Sequence, residues 1–588
     1  MNVCSKKFLI AVVGLVSMVV WGVAEPVPSS HAMDPTPASP VESFERSTDS
    51  QEIQGRGILQ VAPTLGGVPG RFMPAAGGSW RHTHGDAANT GFANVVTAPG
   101  TLPSRKVSGL GSYAPGAGPV IASNGTVYLG NSQGQLRALT PAGDPKWMRD
   151  TPGRKIVASP VVGADGSIYV VGTSVARDHR DGRQFLRYFA NLYRFDPGGA
   201  MLWVRPFPER SQGAGATSAA PNIWRSGDTE VIIVPVLYNQ QGAYQLTLVA
   251  FSTNGGLLFE QKVTGWAPQV TGSGSWGDAF CAIYPLCFNQ QFGLNPTVLA
   301  PNTNQLPAGV EPPMPSVGIY TGASGGAPLV VVADNYQNIV GYSFSPTQGF
   351  QEIFRKHLTK DWMRMSSPTL MRDGHSVVRG NGSKQAWVLF GGPNVVNWTE
   401  VSTALTGAIP TITADGRIVM VDRSRGLTVI GTYPSRTVLN HVPLEAESIA
   451  PAAASCSHVF VSTANALVTL DAKATTVVAK FDWRAGGLSS PAIGPSGGVY
   501  VLAGDSLHIF PPPPPSRLVG VTGCQDGASR VQSDILENPT INLSPGSSRL
   551  PKTRTLSPIM RRGINGEQTS DITPIPSDMT EEPSEAVK

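Results

Sequence analysis

From about residue 118 to residue 510 the chain is a series of short apolar runs separated by turn residues. Two stretches show the pattern. Ser159-Pro160-Val161-Val162 leads through Gly163-Ala164-Asp165-Gly166 into Ile168-Tyr169-Val170-Val171, and Gly118-Pro119-Val120-Ile121 leads through Asn124-Gly125 into Val127-Tyr128-Leu129. Runs of this length, rich in Val, Ile and Tyr and bounded by Gly, Pro and Asn, predict buried strands rather than helices. Asn-Gly and Asp-Gly between two such runs predict tight hairpins with type I′ turns. Each clear copy goes on to a third run, a second turn and an aromatic residue. Gln135–Leu139 is followed by Pro141-Ala142-Gly143 and Trp147, and 191–195 is followed by Asp196-Pro197-Gly198-Gly199 and Trp203. Leu248–Phe251, Asn254-Gly255-Gly256 and Phe259 make the third copy. Each unit thus predicts four strands, and an aromatic recurring at one repeat position predicts packing between units.

The prolines that open the units stand at 119, 160, 221, 296, 368, 410, 451 and 491, at spacings of 41, 61, 75, 72, 42, 41 and 40. A base period near 41 with four short strands is propeller spacing. The fold class expected is all-β, an eight-bladed β-propeller over residues 78–510, or seven-bladed if the poor copy near Pro296 is an insertion. The eighth unit reaches Phe510 with only three evident runs. Its fourth strand is expected from Leu102–Val107, or else from the stretch Leu518–Val521. Composition agrees with this reading. Of 588 residues, 66 are Gly and 51 are Pro, and 14% are charged. That excludes a coiled coil and argues against a largely helical chain. A net charge of +4 is too balanced to indicate a nucleic-acid partner.

Outside the repeats the sequence reads differently. Lys6 and Lys7 precede the apolar run Phe8–Val20, and Gly22-Val23-Ala24 supplies small residues before Glu25. Residues 1–24 therefore read as a Sec-type signal peptide, the alternative being an uncleaved anchor. No membrane span is expected after signal cleavage, and the protein is expected in the periplasm or outside the cell. Residues 25–75 read as a flexible linker and 511–588 as a Pro-rich, mostly disordered tail that begins with Pro511–Pro515 and ends acidic. Four cysteines follow the leader: Cys281, Cys287, Cys456 and Cys524. An even number in an exported chain predicts disulfides, with Cys281–Cys287 and Cys456–Cys524 as one of three possible connectivities.

The units resemble the repeats of PQQ-like, or quinoprotein-type, β-propellers. Trp80-Arg81-His82-Thr83-His84-Gly85-Asp86-Ala87-Ala88-Asn89-Thr90-Gly91-Phe92 is similar to the segment that opens many of those domains, with its Trp, Asp and Thr-Gly pair. The resemblance implies either a dehydrogenase holding pyrroloquinoline quinone (PQQ) and calcium or a non-catalytic scaffold, such as the lipoprotein of outer-membrane barrel assembly. The dehydrogenases of the family typically have an adjacent Cys-Cys disulfide, a Trp floor under the quinone, and Glu, Asn and Asp near calcium. No adjacent Cys pair stands in this sequence, no acidic pair can be assigned, and Asp144-Pro145-Lys146-Trp147 keeps little of the family's turn motif. The expectation is therefore a non-catalytic propeller that binds a protein or envelope component. The alternatives are a PQQ- and calcium-dependent dehydrogenase and a carbohydrate- or peptide-binding propeller.

Other chemistry has less support. There is no G-x-x-x-x-G-K-S/T, and Gly272-Ser273-Gly274-Ser275 and Gly322-Ala323-Ser324-Gly325 read as loops rather than as a hydrolase nucleophile. If residues 82–86 are extended, His82, His84 and Asp86 share a face and form a candidate metal site. The plainer reading of the same three is packing at that segment. The insertion at about 265–327 brings loops to one mouth of the propeller, and Trp266, Trp276 and Trp362, in or near irregular insertions, are candidates for a binding surface.

Overall fold

The structure, a computed structural model, describes most of residues 79–514 and Cys524, with breaks at loops, the longest over 264–315. The chain divides into Met1–Leu65 and Gly66–Lys588, and every described residue lies in the second unit. The leader, the linker, Cys281, Cys287, Trp266, Trp276, Trp362, Pro296 and Leu518–Val521 lie outside the described residues.

Among the described residues there is no helix, and the strands form eight antiparallel sheets of four or five strands. Seven are contiguous in sequence. Their inner strands are Val120–Ile121, Val161–Val162, Asn222–Ser226, Gly318–Tyr320, Thr369–Leu370, Thr411–Ile412 and Ala453–Ala454, taken below as blades 1 to 7. The eighth starts at Ala492–Ile493, runs through Val499–Ala503 to Ser506–Phe510, and takes its outer strand from Arg105–Val107. The closing register is Arg105↔Ile509, Lys106↔His508 and Val107↔Leu507. This is the ring closure expected from the missing fourth run of the last unit.

The apolar runs are continuous rather than alternating because a middle strand meets a neighbouring blade on each face. Ile168 and Val170 pack with blade 1 residues such as Tyr128, whereas Tyr169 and Val171 pack with blade 3 residues such as Val234. Outer strands are mostly exposed apart from one ring, Trp147 in blade 1 and Trp203 in blade 2. Each ring crosses to the next blade. Trp147 Nε1 donates to the Pro197 carbonyl at 2.9 Å, and Trp203 Nε1 donates to that of Thr253 at 2.9 Å. Two residues on, Arg149 Nε donates to the Gly199 carbonyl at 2.8 Å and Arg205 Nε to that of Gly255 at 2.9 Å. A Cβ on Gly199 would lie 2.7 Å from the Trp147 ring, so the second turn needs glycine where the ring lands.

Two sequence expectations change. The hairpin turns are not type I′, which needs a positive φ at both central residues. At the first turn Gly125 alone has positive φ, 79°, and its N–H donates to the Ala122 carbonyl while Ala122 N–H donates to Thr126. That is a three-residue loop with glycine in the left-handed position, and it recurs at Gly166, Gly416 and Gly497. Asn124 and Asp165 are favoured for another reason: their side-chain oxygens accept the N–H of Thr126 (2.9 Å) and Ser167 (2.8 Å). The fourth blade begins at Gly318 rather than near Pro296. Val317 stands where most other units have proline, so the punctuation that marked them is missing there.

Candidate functional site at the propeller axis

The segment that opens the domain lies where the inner strands converge. Ile121 of blade 1 donates its N–H to the Trp80 carbonyl (2.7 Å), and Val162 of blade 2 donates to Arg81 (2.9 Å). Ile319 of blade 4 donates to Ala87 (2.7 Å), Leu370 of blade 5 to Ala88 (2.8 Å), and Ile412 of blade 6 to Thr90 (2.8 Å). Ala454 of blade 7 donates to Gly91 (2.7 Å). Blade 3 joins through a side chain: Asn222 Oδ1 accepts the Ile223 N–H (2.8 Å), and its Nδ2 donates to the Ala87 carbonyl (2.9 Å). Asn89 Nδ2 donates to the Val317 and Pro368 carbonyls, tying blades 4 and 5 together. Even fully extended, Trp80 to Gly91 spans at most about 40 Å. One short segment can meet the inner strands of seven blades in chain order only if those strands surround it.

Inside this ring the segment turns back on itself. His82 and Gly85 exchange N–H···O bonds, and Gly91 N–H donates to the His84 carbonyl at 2.9 Å. Gly85, Asn89 and Gly91 have φ of 86°, 56° and 65°. The segment is therefore not extended between His82 and Asp86, and the alternation that placed His82, His84 and Asp86 on one face does not apply. The Asp86 carboxylate instead accepts the Thr90 N–H (3.0 Å) and hydroxyl (2.6 Å). Burial raises the Asp86 pKa despite those bonds.

His82 and His84 are both buried. Loss of solvation pushes each pKa down to about 3, helped at His82 by Arg81 and opposed there by Asn222. Both rings are neutral near pH 7. Thr411 donates its hydroxyl to the Ala452 carbonyl (2.9 Å), so its oxygen accepts from His84 Nε2 (3.2 Å). This assigns the His84 proton to Nε2 and leaves Nδ1 bare and buried with no hydrogen-bond partner, as is His82 Nδ1.

These residues do not fit PQQ and calcium. Calcium takes six to eight oxygen ligands, with carboxylates among them, and the quinone brings three carboxylates of its own. At the axis stand Trp80, two neutral imidazoles, Phe92 and one carboxylate already hydrogen-bonded to Thr90. Among the described residues no group of three or more His, Cys, Asp or Glu side chains could hold a metal ion.

A second polar cluster lies beside the end of the segment. Thr97 Oγ1 is 3.1 Å from His458 Nδ1 and 2.8 Å from Ser455 Oγ, and all three residues are buried. Between Ser455 and Ser457, Cys456 forms a disulfide with Cys524 at a Cα–Cα distance of 5.3 Å. Cys456 N–H donates to the Val95 carbonyl at 3.0 Å and Cys524 N–H to Asn94 Oδ1 at 2.8 Å. The sequence raised this pairing as one of three. It did not single out Asn89, Asn222 or Thr411, although Asn222 and Thr411 are polar where the inner strands of blades 1 and 2 begin with Val.

No family model matches the chain. The uncharacterized protein YxaL of Bacillus subtilis (strain 168) is 31% identical over 164 residues, which is 27% of this chain and 34% of that protein, so the match spans about a third of its length. Among solved structures the chain is similar to BamB from Moraxella catarrhalis, with a TM-score of 0.41 and 10% identity over 69% of this chain and 96% of that one. It is also similar to a europium-containing methanol dehydrogenase, with a TM-score of 0.40 and 13% identity over 72% and 89%. The Dos1 propeller aligns with a TM-score of 0.38 and 9% identity over 70% and 95%. By its own sheets and repeats, the chain is an all-β propeller resembling the PQQ-like type.

Proposed function

We propose that this chain is an exported propeller that works by binding a protein or envelope component, with its axis closed by its own chain. The observation that supports this is the axial segment. The backbone carbonyls of Trp80, Arg81, Ala87, Ala88, Thr90 and Gly91 all accept from inner-strand amides. The place where a propeller commonly takes a small ligand is therefore filled and wired from all around. Export is supported by the leader-like N-terminus and by the Cys456–Cys524 disulfide, since such bonds persist in oxidising compartments. Among the described residues no helix is long and apolar enough to cross a membrane.

The test is to add PQQ and Ca²⁺ to the purified chain and follow calorimetry and absorbance. No heat and no quinone chromophore at saturating concentrations is the expected result. Tight stoichiometric binding would overturn the reading and restore the dehydrogenase alternative, with a screen of alcohols and sugars next.

A further inference from the structure

Arg81 is held by its backbone and not by its charge. Its carbonyl accepts the Val162 N–H of blade 2 at 2.9 Å, which seats the residue where the first hairpin of that blade begins to turn. The side chain is half-buried, yet among the described residues no acceptor is hydrogen-bonded to its guanidinium. The two residues that follow also leave a polar atom unmatched. His82 Nδ1 and Thr83 Oγ1 are buried with no hydrogen-bond partner. Buried polar groups are ordinarily paired, and a guanidinium offers five donors in a fixed fork.

The charges around Arg81 come from the first hairpins of blades 2 and 3. On blade 3, Arg225 of Asn222–Ser226 stands directly opposite Glu230 of Thr229–Gln240. Arg225 Nε donates to the Gly227 carbonyl at 3.0 Å. Glu230 reaches across to blade 2, where its two oxygens accept the Ala164 N–H at 2.9 and 3.2 Å. Gly163 leaves room for it, since a Cβ there would lie 3.0 Å from Glu230 Oε2. The other carboxylate of this turn, Asp165, is spent on Arg194 at 2.7 Å and on the Ser167 N–H at 2.8 Å. Asp228 stands exposed at the tip of the blade 3 hairpin and is not among the groups that act on Arg81. Burial lowers the Arg81 pKa, Glu230 opposes that and Arg225 adds to it. Arg225 and Glu230 therefore offset each other, and the charge of Arg81 is left over. Leaving a half-buried charge without a partner is costly.

We infer that Arg81, with Arg225 beside it, anchors an acidic side chain of a partner protein, on the face of the propeller that carries the first hairpin turns of blades 2 and 3. The inference rests on reading the chain as a protein-binding propeller and names the chemistry of its partner. A carboxylate brings the one negative charge that is missing and matches the planar guanidinium. A phosphate group brings nearly two near pH 7 and would meet Glu230. The axis beside Arg81 is filled by Trp80–Gly91, so the deep enclosure that a small ligand needs is taken. A polypeptide instead gains contact area on the turns around the anchor, as at interfaces where a single arginine dominates.

The test is fluorescence anisotropy of a labelled hexa-aspartate peptide with the full chain at 20 mM NaCl. A labelled hexa-lysine peptide, and unlabelled succinate and inorganic phosphate as competitors, serve as comparisons. Hexa-aspartate alone is expected to bind, weakening at least fivefold between 20 and 200 mM NaCl. R81Q is expected to lose at least tenfold, and R225Q about threefold or more. E230Q keeps an oxygen for Ala164 and drops the opposing charge, so it is expected to tighten binding about twofold or more. K262Q removes an equal charge from the outer strand of blade 3, Leu257–Lys262, and is expected to change binding less than twofold. Because R81Q removes a half-buried charge that has no hydrogen bond among the described residues, its melting temperature is expected to be unchanged or higher. A purely structural role for Arg81 would move it the other way. The site is overturned by no peptide binding at 20 mM NaCl, by K262Q costing as much as R81Q, or by R81Q melting earlier than the parent. Succinate or phosphate competing as well as unlabelled peptide at equal anion concentration would overturn it too. PQQ titrated into the same preparation separates the failures. Quinone binding would sink the protein-binding reading, whereas binding of neither quinone nor peptide would sink this site alone.

Discussion

His84 places one ring nitrogen against Thr411 and the other in no hydrogen bond, in a setting where its charged form is strongly disfavoured. Its folded pKa of about 3 lies below the ordinary value of 6.5, as does that of His82. Such a group leaves stability intact above pH 6.5 and removes it as pH falls from 6.5 toward 3, because the unfolded chain takes the proton first. Asp86 works in the opposite direction, its raised pKa relieving a cost as it protonates. Each of the two histidines contributes on the order of 2 kcal/mol of lost stability at pH 5. Urea unfolding at both pH values is expected to show the loss, and H84Q is expected to shrink it by about one histidine's share. An unchanged pH dependence in H84Q would mean His84 is not the buried neutral ring described here. A neighbouring substitution tests the geometry: a Cβ on Gly91, at φ 65°, would lie 2.3 Å from His84 Nε2. G91A is therefore expected to cost at least about 2 kcal/mol, from the left-handed backbone and the clash together. The sequence singled out this segment but misplaced its faces. Spacing by two implies a shared face only in a strand, and the three positive φ values that undo the strand depend on the ring of blades around it.

The hairpin and its turn were largely legible, because each rests on local chemistry. Asn-Gly and Asp-Gly marked the loops correctly even though the turn type differs, since glycine is needed in the left-handed position either way. The Trp at the fourth strand was legible as packing because it recurs. Its arginine companion recurs too, as Arg149 and Arg205, but was not legible, because an arginine on an outer strand reads as an ordinary exposed residue. The structure gives both a role, with Trp203 and Arg205 donating to successive turn carbonyls of blade 3. Trp203 is half-buried, so W203A is expected to cost less than a core Trp truncation, about 2 to 3 kcal/mol. R205A is expected to cost about 1 kcal/mol. The two are expected to couple, the double variant costing less than the sum, because losing the ring frees the turn that the guanidinium holds. Strict additivity in thermal melts would mean the turn is fixed by other contacts. The fourth blade shows where such reading ends: with Val317 in place of proline and a long insertion before it, Pro296 pointed to a start well ahead of Gly318.

The molecule is closed in two places, and the two are different in kind. Arg105–Val107 completes the last blade by pairing with Ser506–Phe510, and Arg105 then reaches the next blade, donating to Asp144 (2.6 Å) and to the Ala142 carbonyl (3.1 Å). Tyr500 adds a bond from its hydroxyl to the Pro141 carbonyl at 3.0 Å. The strand was legible because the eighth unit was one run short; the contacts that seat it belong to residues far apart in sequence and left no pattern. The Cys456–Cys524 disulfide instead joins blade 7 to a residue beyond the last blade, across a sequence separation of 68. If the strand closes the ring, reduction should cost stability without opening it, because every blade-to-blade contact upstream of Phe510 survives. Dithiothreitol, or the pair C456S/C524S, is therefore expected to lower the melting temperature by several degrees, in line with a bond worth about 2 to 4 kcal/mol. The β-type circular dichroism and a single cooperative transition are expected to remain. Replacing Val107 by Pro, inside the closing strand, is expected to do the reverse, broadening the transition while the disulfide stays intact. A reduced protein that melts gradually, or a V107P variant that melts as sharply as the parent, would assign the closure to the disulfide instead.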